Sequence, residues 1–324
     1  MYKAFYHLTR NPFDLTPDPS YFVATRRHNE ALAALHYGIR RHKGFVVVTG
    51  EVGTGKTLLL RCLLRLLRES RDVSYAYLFN SRMSPVEFLQ YILSDFGLVV
   101  SGKNKGELLH ELGEFVVSRG SRGLTTVLIV DEAHHLSEDL LEEVRLLTNL
   151  ETIDDKLLQI VLVGQPELDM KLDSSQLRQL KQRISIRAHL GPLTPEETKE
   201  YIEHRLRVAG PESKVETIFP LPTVEVVYHH SRGIPRLINT ICENALIIGY
   251  ARQMHSIPAD IIHDVAREFR LETSVPPDSE NGIVGREEKP QGFRDLYAML
   301  RGPGSSGTGA SVPIVEASEY EPNL

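Results

Sequence analysis

The run Gly50-Glu51-Val52-Gly53-Thr54-Gly55-Lys56-Thr57 constrains this 324-residue chain more than any other feature. It fits the pattern G-x-x-x-x-G-K-[ST] and stands between an apolar, β-branched run, Phe45 to Thr49, and a leucine-rich run with helical spacing, Leu58 to Leu67. A strand, a glycine loop and a helix in that order make a cradle for an anion. The glycines let successive backbone N–H groups close round phosphate oxygens, and the helix behind them aims the positive end of its dipole at the same place. Lys56 adds a point charge. Thr57 offers a hydroxyl to Mg²⁺, a cation that prefers oxygen ligands in near-octahedral array. Gly50, Glu51, Val52, Gly53, Thr54, Gly55, Lys56, Thr57 and Leu58 are therefore the expected nucleotide-binding segment.

A second element suits the first. The apolar run Val127-Leu128-Ile129-Val130 ends in Asp131 and Glu132. Alternation along a strand predicts the two carboxylates on opposite sides of its end. Asp131 then serves the Mg²⁺ shell, and Glu132 reaches a water for in-line attack on the γ-phosphate of ATP. The expected activity is ATP hydrolysis, with Lys56 and Glu132 among the catalytic groups. Asp131-Glu132-Ala133-His134 also spells the letters that name a helicase group, but such helicases resemble two tandem nucleotide domains and only one fits here. His134 and His135 read as loop residues, because no Cys or His elsewhere completes a metal-site spacing. Mg²⁺ is the one metal expected.

Strand-like runs at 44–50, 73–79, 126–132, 157–164 and 184–190 alternate with helical stretches. Their near-continuous apolar character predicts an α/β fold of the P-loop NTPase kind, a five-stranded parallel sheet covered on both faces. After Pro192 the strand signals stop. Thr194 with its Glu pair, Pro235 and Pro258 mark successive helix starts, so an all-helical lid is expected over 193–270. The expected division is a lead over 1–42, a nucleotide core over 43–192, that lid, and a disordered tail over 271–324 rich in Ser, Pro, Gly and Glu. One island in the tail, Phe293, Leu296, Tyr297, Met299 and Leu300, has helical spacing. In the lead, Tyr2, Phe5 and Phe13 are expected to wall an adenine pocket or pack on the sheet. Arg26, Arg27 and His28, and then Arg40 to Lys43, form basic clusters expected on solvated helix faces, with DNA phosphate or an acidic subunit surface as the alternative.

Composition narrows the partners. Lys and Arg total 37 against 43 Asp and Glu, a formal charge of -6, so no sweeping basic surface advertises nucleic acid. Cys62 and Cys242 sit in apolar stretches far apart, the pattern of buried thiols in a reducing compartment. The first residues carry prolines where an export leader needs a helix, and no apolar run nears the roughly 20 residues that span a bilayer. A cytoplasmic setting is expected.

With both nucleotide motifs placed, about residues 1–270 resemble AAA+ ATPases of the bacterial secretion-ATPase branch. That branch includes general secretion pathway protein A and the ATPases of exosortase and exopolysaccharide loci. The resemblance is carried by FYHLTRNPFDLTPDPSYFVATRRHNEALAALHYGI, GEVGTGKT, VDEAH, VGQPEL, LRQLKQRI and RGIPRLIN. It implies ATP and Mg²⁺ as cofactors and four further roles. Gln165 would be the sensor that orients the attacking water. Asn80 would be the switch that holds Glu132 inactive. Arg183, or in its place Arg178 or Arg187, would be the finger reaching a neighbouring subunit's ATP, and Arg236 would be the second sensor. The resemblance further implies a ring-shaped homo-oligomer working as a motor or switch with an envelope or export protein, any membrane link coming through that partner. The competing class is a DNA-associated regulator of the transposition-helper or origin-binding type; nucleic acid as a partner is not favoured.

Overall fold

The computed structural model describes residues 2–79, 83–153, 155–210 and 215–271. Five strands, β1 (Phe45–Gly50), β2 (Val73–Leu78), β3 (Thr125–Val130), β4 (Leu158–Gly164) and β5 (Ile186–Leu190), pair in parallel in the order β2-β3-β4-β1-β5. The three inner strands β1, β3 and β4 are buried at every position, because helices cover both faces of the sheet. Alternate side chains then feed two separate cores. On one face Val46, Val48, Ile129 and Val163 meet α2 (Arg26–Arg40) and α3 (Lys56–Glu69) through Leu32, Leu35, Leu59 and Leu63. On the other, Phe45, Val47, Leu128 and Leu162 meet α4 (Pro85–Asp95), α5 (Lys105–Gly120) and α6 (Glu138–Leu147) through Phe88, Leu89, Leu112 and Leu141. The short helices α7 (Pro166–Leu172) and α8 (Arg178–Lys181) link β4 to β5. The four-residue helix α1 (Tyr2–Phe5) opens the chain.

Beyond β5 the described chain is helical: α9 (Pro195–Ala209), α10 (Val215–Ile218), α11 (Leu221–Ser231), α12 (Pro235–Ala251) and α13 (Ala259–Glu268). Local chemistry fixes the starts. Thr194 and Glu197 form a reciprocal capping box on α9, and Pro235 occupies the first turn of α12, where its missing N–H costs nothing. Ile202, Leu206, Val227, Ile241, Leu246 and Ile262 build a third core, distinct from the two on the sheet.

The aromatics of the lead belong to that third core, not to the sheet or an adenine wall as the sequence suggests. Tyr2, Tyr6, Phe13 and Tyr21 are buried among the helices. The reason lies in their polar tips. The Tyr2 hydroxyl donates to Glu243 at 2.7 Å and the Tyr6 hydroxyl to the Met254 carbonyl at 2.9 Å, partners that the sheet faces cannot supply. Arg205 on α9 completes the attachment. Its guanidinium is 4% exposed, donates to the carbonyls of Pro12 at 2.5 Å and Asp14 at 3.0 Å, and lies 4.6 Å from the centre of the Tyr21 ring. Farther on, the Pro17 carbonyl accepts from Arg61 of α3 and Phe22 enters the sheet-side core, so the lead bridges both halves.

Removing the guanidinium would strand the buried carbonyl of Pro12, at a cost of about 1–3 kcal/mol, and would also forfeit its bond to the more exposed Asp14 carbonyl and its packing on Tyr21. Arg205→Ala is therefore expected to lower unfolding free energy by roughly 3 kcal/mol in a urea titration. A change under about 0.5 kcal/mol, the scale of an ordinary surface substitution, would show that the clamp adds nothing.

Both thiols are buried, and burial pushes the Cys62 thiol up to about 12. No helix among the described residues is long and apolar enough to cross a membrane. The tail from residue 272 onward, with the island at 293–300, lies outside the described residues, as does Asn80.

Candidate nucleotide site

The glycine loop leaves β1 at Gly50 and enters α3 at Lys56, so the first turn of that helix faces the end of the sheet. Two glycines are required by shape. Gly53 has φ +83° and a Cβ there would lie 2.7 Å from Cβ of Arg236; Gly55 has φ +99° and a Cβ would lie 3.1 Å from Nε2 of His28. Donors within the chain meet several of the loop's carbonyls. Lys56 Nζ donates to Gly50 at 2.7 Å and Glu51 at 2.9 Å, the Arg236 amide donates to Gly53 at 3.2 Å, and the Leu59 amide donates to Gly55 at 2.9 Å. Among the described residues the N–H groups of Gly53 and Gly55 make no hydrogen bond within the chain. Those are the groups an anion needs. Burial pulls the Lys56 ammonium below the usual lysine range, against the pull of Glu132, Asp131 and Glu51. Val52 and Glu51 are exposed at the loop's outer turn, and Leu58 is half-buried behind it.

The carboxylate pair sits beside the loop. Asp131 is 4% exposed; its Oδ2 lies 3.4 Å from the Thr57 hydroxyl and accepts from the Tyr77 hydroxyl at 3.1 Å, while Oδ1 accepts from the Glu132 amide at 2.8 Å. Burial raises the Asp131 carboxyl above its usual range, and these two donors oppose the rise. Two hard oxygen donors from different elements, already within one ligand shell of each other, suit Mg²⁺.

Strand alternation does not set the orientation of Glu132. The strand stops at Val130, and Glu132 takes a left-handed conformation, φ 51° and ψ 36°. A turn, not the pleat, aims this side chain, and a non-glycine residue held there carries a conformational cost of the kind found at functional sites. Its Oε2 lies 3.4 Å from His134 Nδ1, and the same nitrogen is 3.4 Å from the Gln165 amide. Burial, more than the neighbouring His135, pulls the His134 imidazole below the usual histidine range. Ligand atoms of Glu132, His134 and His135 fall within 4.8 Å of one another, a grouping that linear spacing hides because a short 3₁₀ turn over Ala133–His135 folds them together. Gln165 caps α7 through its backbone, leaving its half-buried side-chain amide at the end of β4 without a polar partner among the described residues.

The AAA domain family matches residues 39–172, from the end of α2 to α7. Over 258 residues the chain is 44% identical to general secretion pathway protein A of Aeromonas hydrophila, a stretch that covers 79% of this chain and 46% of that protein. The chain carries an AAA+ ATPase module of the general secretion pathway protein A type. It thus spans less than half the length of that relative. Over 131 residues it is 30% identical to the ATP-dependent target DNA activator B of Escherichia phage Mu, covering 40% of this chain and 39% of that protein. The fold is shared with the Aeropyrum pernix ORC2 protein, at TM-score 0.60 and 19% identity over 80% of this chain and 71% of that one. It is shared also with a chain of Drosophila ORC bound to DNA, at TM-score 0.61 and 21% identity over 81% of this chain and 65% of that one.

The arginines of the AAA+ module divide between its two ends. Arg236, in the first turn of α12, lies exposed beside the loop, its amide on Gly53. Arg183 lies at the opposite end of the sheet, just before β5, and cannot serve its own loop; its Nη1 donates to the Thr148 hydroxyl at 2.7 Å. Arg187 pairs with Asp169 at 3.0 Å. Arg178 is exposed on α8 at that same end of the sheet, and among the described residues its side chain has no polar partner.

Two residues outside the expected site set touch the loop and its carboxylate. Tyr77 stands on β2 in register with Ile129 of β3, which brings its hydroxyl to Asp131. His28 is 6% exposed, not part of a solvated basic face. Its spacing to Ala31, Leu32 and Leu35 on the buried stripe of α2 was the available signal. The rest of that basic cluster is partly spent on neighbours: Arg26 pairs with Glu30 at 2.8 Å and Arg40 with Asp72 at 2.5 Å.

Proposed function

We propose that this chain binds ATP with Mg²⁺ at Gly50–Leu58, hydrolyses it, and works as a ring-forming motor or switch in bacterial secretion or exopolysaccharide export. The observation that carries the nucleotide reading is the loop in which Gly53 and Gly55 keep their N–H groups unengaged among the described residues, beside a buried Lys56. The 44% identity to general secretion pathway protein A supports the export setting.

In this reading the loop amides and the Lys56 ammonium bind the phosphates. Thr57 and Asp131 would hold Mg²⁺, which when bound neutralises phosphate charge and orients the transferring group. Glu132 accepts a proton from the attacking water as the γ-phosphorus to bridging-oxygen bond breaks, giving ADP and phosphate. Gln165 orients that water through its free amide, and Asn80 holds Glu132 in reserve. Arg236 joins the loop to α12, so loss of the γ-phosphate alters the fit between the sheet and the helices.

A finger arginine at the far end of the sheet meets ATP only in a neighbouring copy. Arg183 would have to leave Thr148 to do so, whereas Arg178 is already exposed. Mass measurement with and without ATP, together with phosphate release, tests the ring. Assembly with ATP is expected, and either Arg183→Ala or Arg178→Ala should cut turnover roughly 10³-fold. A monomer at every ATP concentration, or two fully active variants, would contradict an intersubunit site.

The match to activator B favours a second reading, a DNA-associated regulator. Salt bridges at Arg26 and Arg40 remove cations that DNA phosphates would need, which weighs against it. DNA affinity that falls steeply with salt would reverse that preference.

A further inference from the structure

A phosphate loop works only while its N–H groups point inward. Because each peptide is planar and trans, the carbonyl on the same peptide must then point outward. An outward carbonyl that is buried needs a donor, or the peptide gains by turning over. Backbone amides of Arg236 and Leu59 meet the carbonyls of Gly53 and Gly55. The carbonyl of Thr54 is met differently. It lies 3.0 Å from Nε2 of His28, a side chain from α2, some 26 residues earlier in the chain. That carbonyl shares its peptide with the Gly55 N–H. Gly55 itself, at φ +99°, has no Cβ to restrain the peptide, so nothing local fixes its direction.

His28 is built to give one hydrogen bond in one direction. A carbonyl only accepts, so Nε2 carries the hydrogen, and Nδ1 is then an acceptor. The Thr25 hydroxyl, 2.7 Å from Nδ1, is the donor that matches. Thr25 is also the N-cap of α2, and the imidazole packs edge-on against Phe22 with ring centres 5.9 Å apart. The charged groups facing the ring are few; Glu197 of α9 is the carboxylate that bears on it.

We propose that His28 is a positioning residue for phosphate binding: its Nε2–H holds the Thr54–Gly55 peptide so that the Gly55 N–H faces the phosphate. This rests on reading Gly50–Thr57 as the nucleotide site, and adds that the lead, through α2, sets the grip of the loop.

Calorimetry of ATP and ADP on the full chain, with the Gly55 amide resonance as a second readout, tests it. His28→Phe keeps the ring against Phe22 and deletes both nitrogens; affinity should fall about tenfold, and the downfield shift of the Gly55 amide on ADP binding should be lost. His28→Gln places an amide donor near the reach of Nε2 and should restore affinity to within about threefold. His28→Asn carries the same group on a shorter stem and should not. The Gln and Asn pair decides the matter if the Phe variant fails to fold. Wild-type affinity in His28→Phe, or equal affinity in the Gln and Asn variants, would overturn the role of His28 while leaving the nucleotide site in place. Failure of the wild type to bind ATP would instead remove the site itself.

Discussion

Replacing Lys56 with alanine should weaken ATP binding by at least about 100-fold. The ammonium sits buried on two loop carbonyls, 2.7 and 2.9 Å away, and is the cation placed at the centre of the loop. Charge-assisted hydrogen bonds contribute about 1.5–3 kcal/mol each, and two phosphate contacts together account for that loss. The fold should survive, because the helix begins on Gly55 and the leucines of α3, not on this charge. Fluorescent-nucleotide titration and a melting curve separate the two effects. Unchanged affinity in a folded variant would place the triphosphate elsewhere.

Glu132→Gln should do the opposite: bind ATP within about threefold of the wild type while turnover drops by roughly 10²–10⁴. Glutamine keeps the length and the left-handed backbone of the turn, and removes only the ability to take a proton. Trapped ATP should then accumulate the assembled form. Single-turnover phosphate release is the measurement. Wild-type turnover would move the base to another group, and His134, whose Nδ1 lies 3.4 Å from Glu132 Oε2, would be the one to examine.

The parallel sheet and its helices were legible because their signals are local. An unbroken run such as Val46-Val47-Val48 is required where both faces are covered, and Thr194 with Glu197 announces a capped helix within one turn. The phosphate loop is equally local, its residues contiguous. What the linear pattern hid depends on contacts across the chain. Alternation cannot be carried past Val130, because the backbone at Glu132 is left-handed and a turn, not the pleat, aims that side chain. The lead's aromatics announce burial but not against which layer; that was decided by Glu243, Met254 and Arg205, some 190 to 250 residues away. Adjacency groups His28 with Arg26 and Arg27, although helical spacing places it on the buried stripe. Tyr77 shows the same limit, since strand register alone brings it to Asp131.

In the proposed reading, main-chain amides and one ammonium group at the end of β1 hold a nucleoside triphosphate. The most direct test is a calorimetric titration of the purified chain with ATP in magnesium buffer. One site per chain is expected, weakened when magnesium is chelated and lost in Lys56→Ala. An absence of binding heat with both ATP and GTP, at protein concentrations in the tens of micromolar, would contradict it.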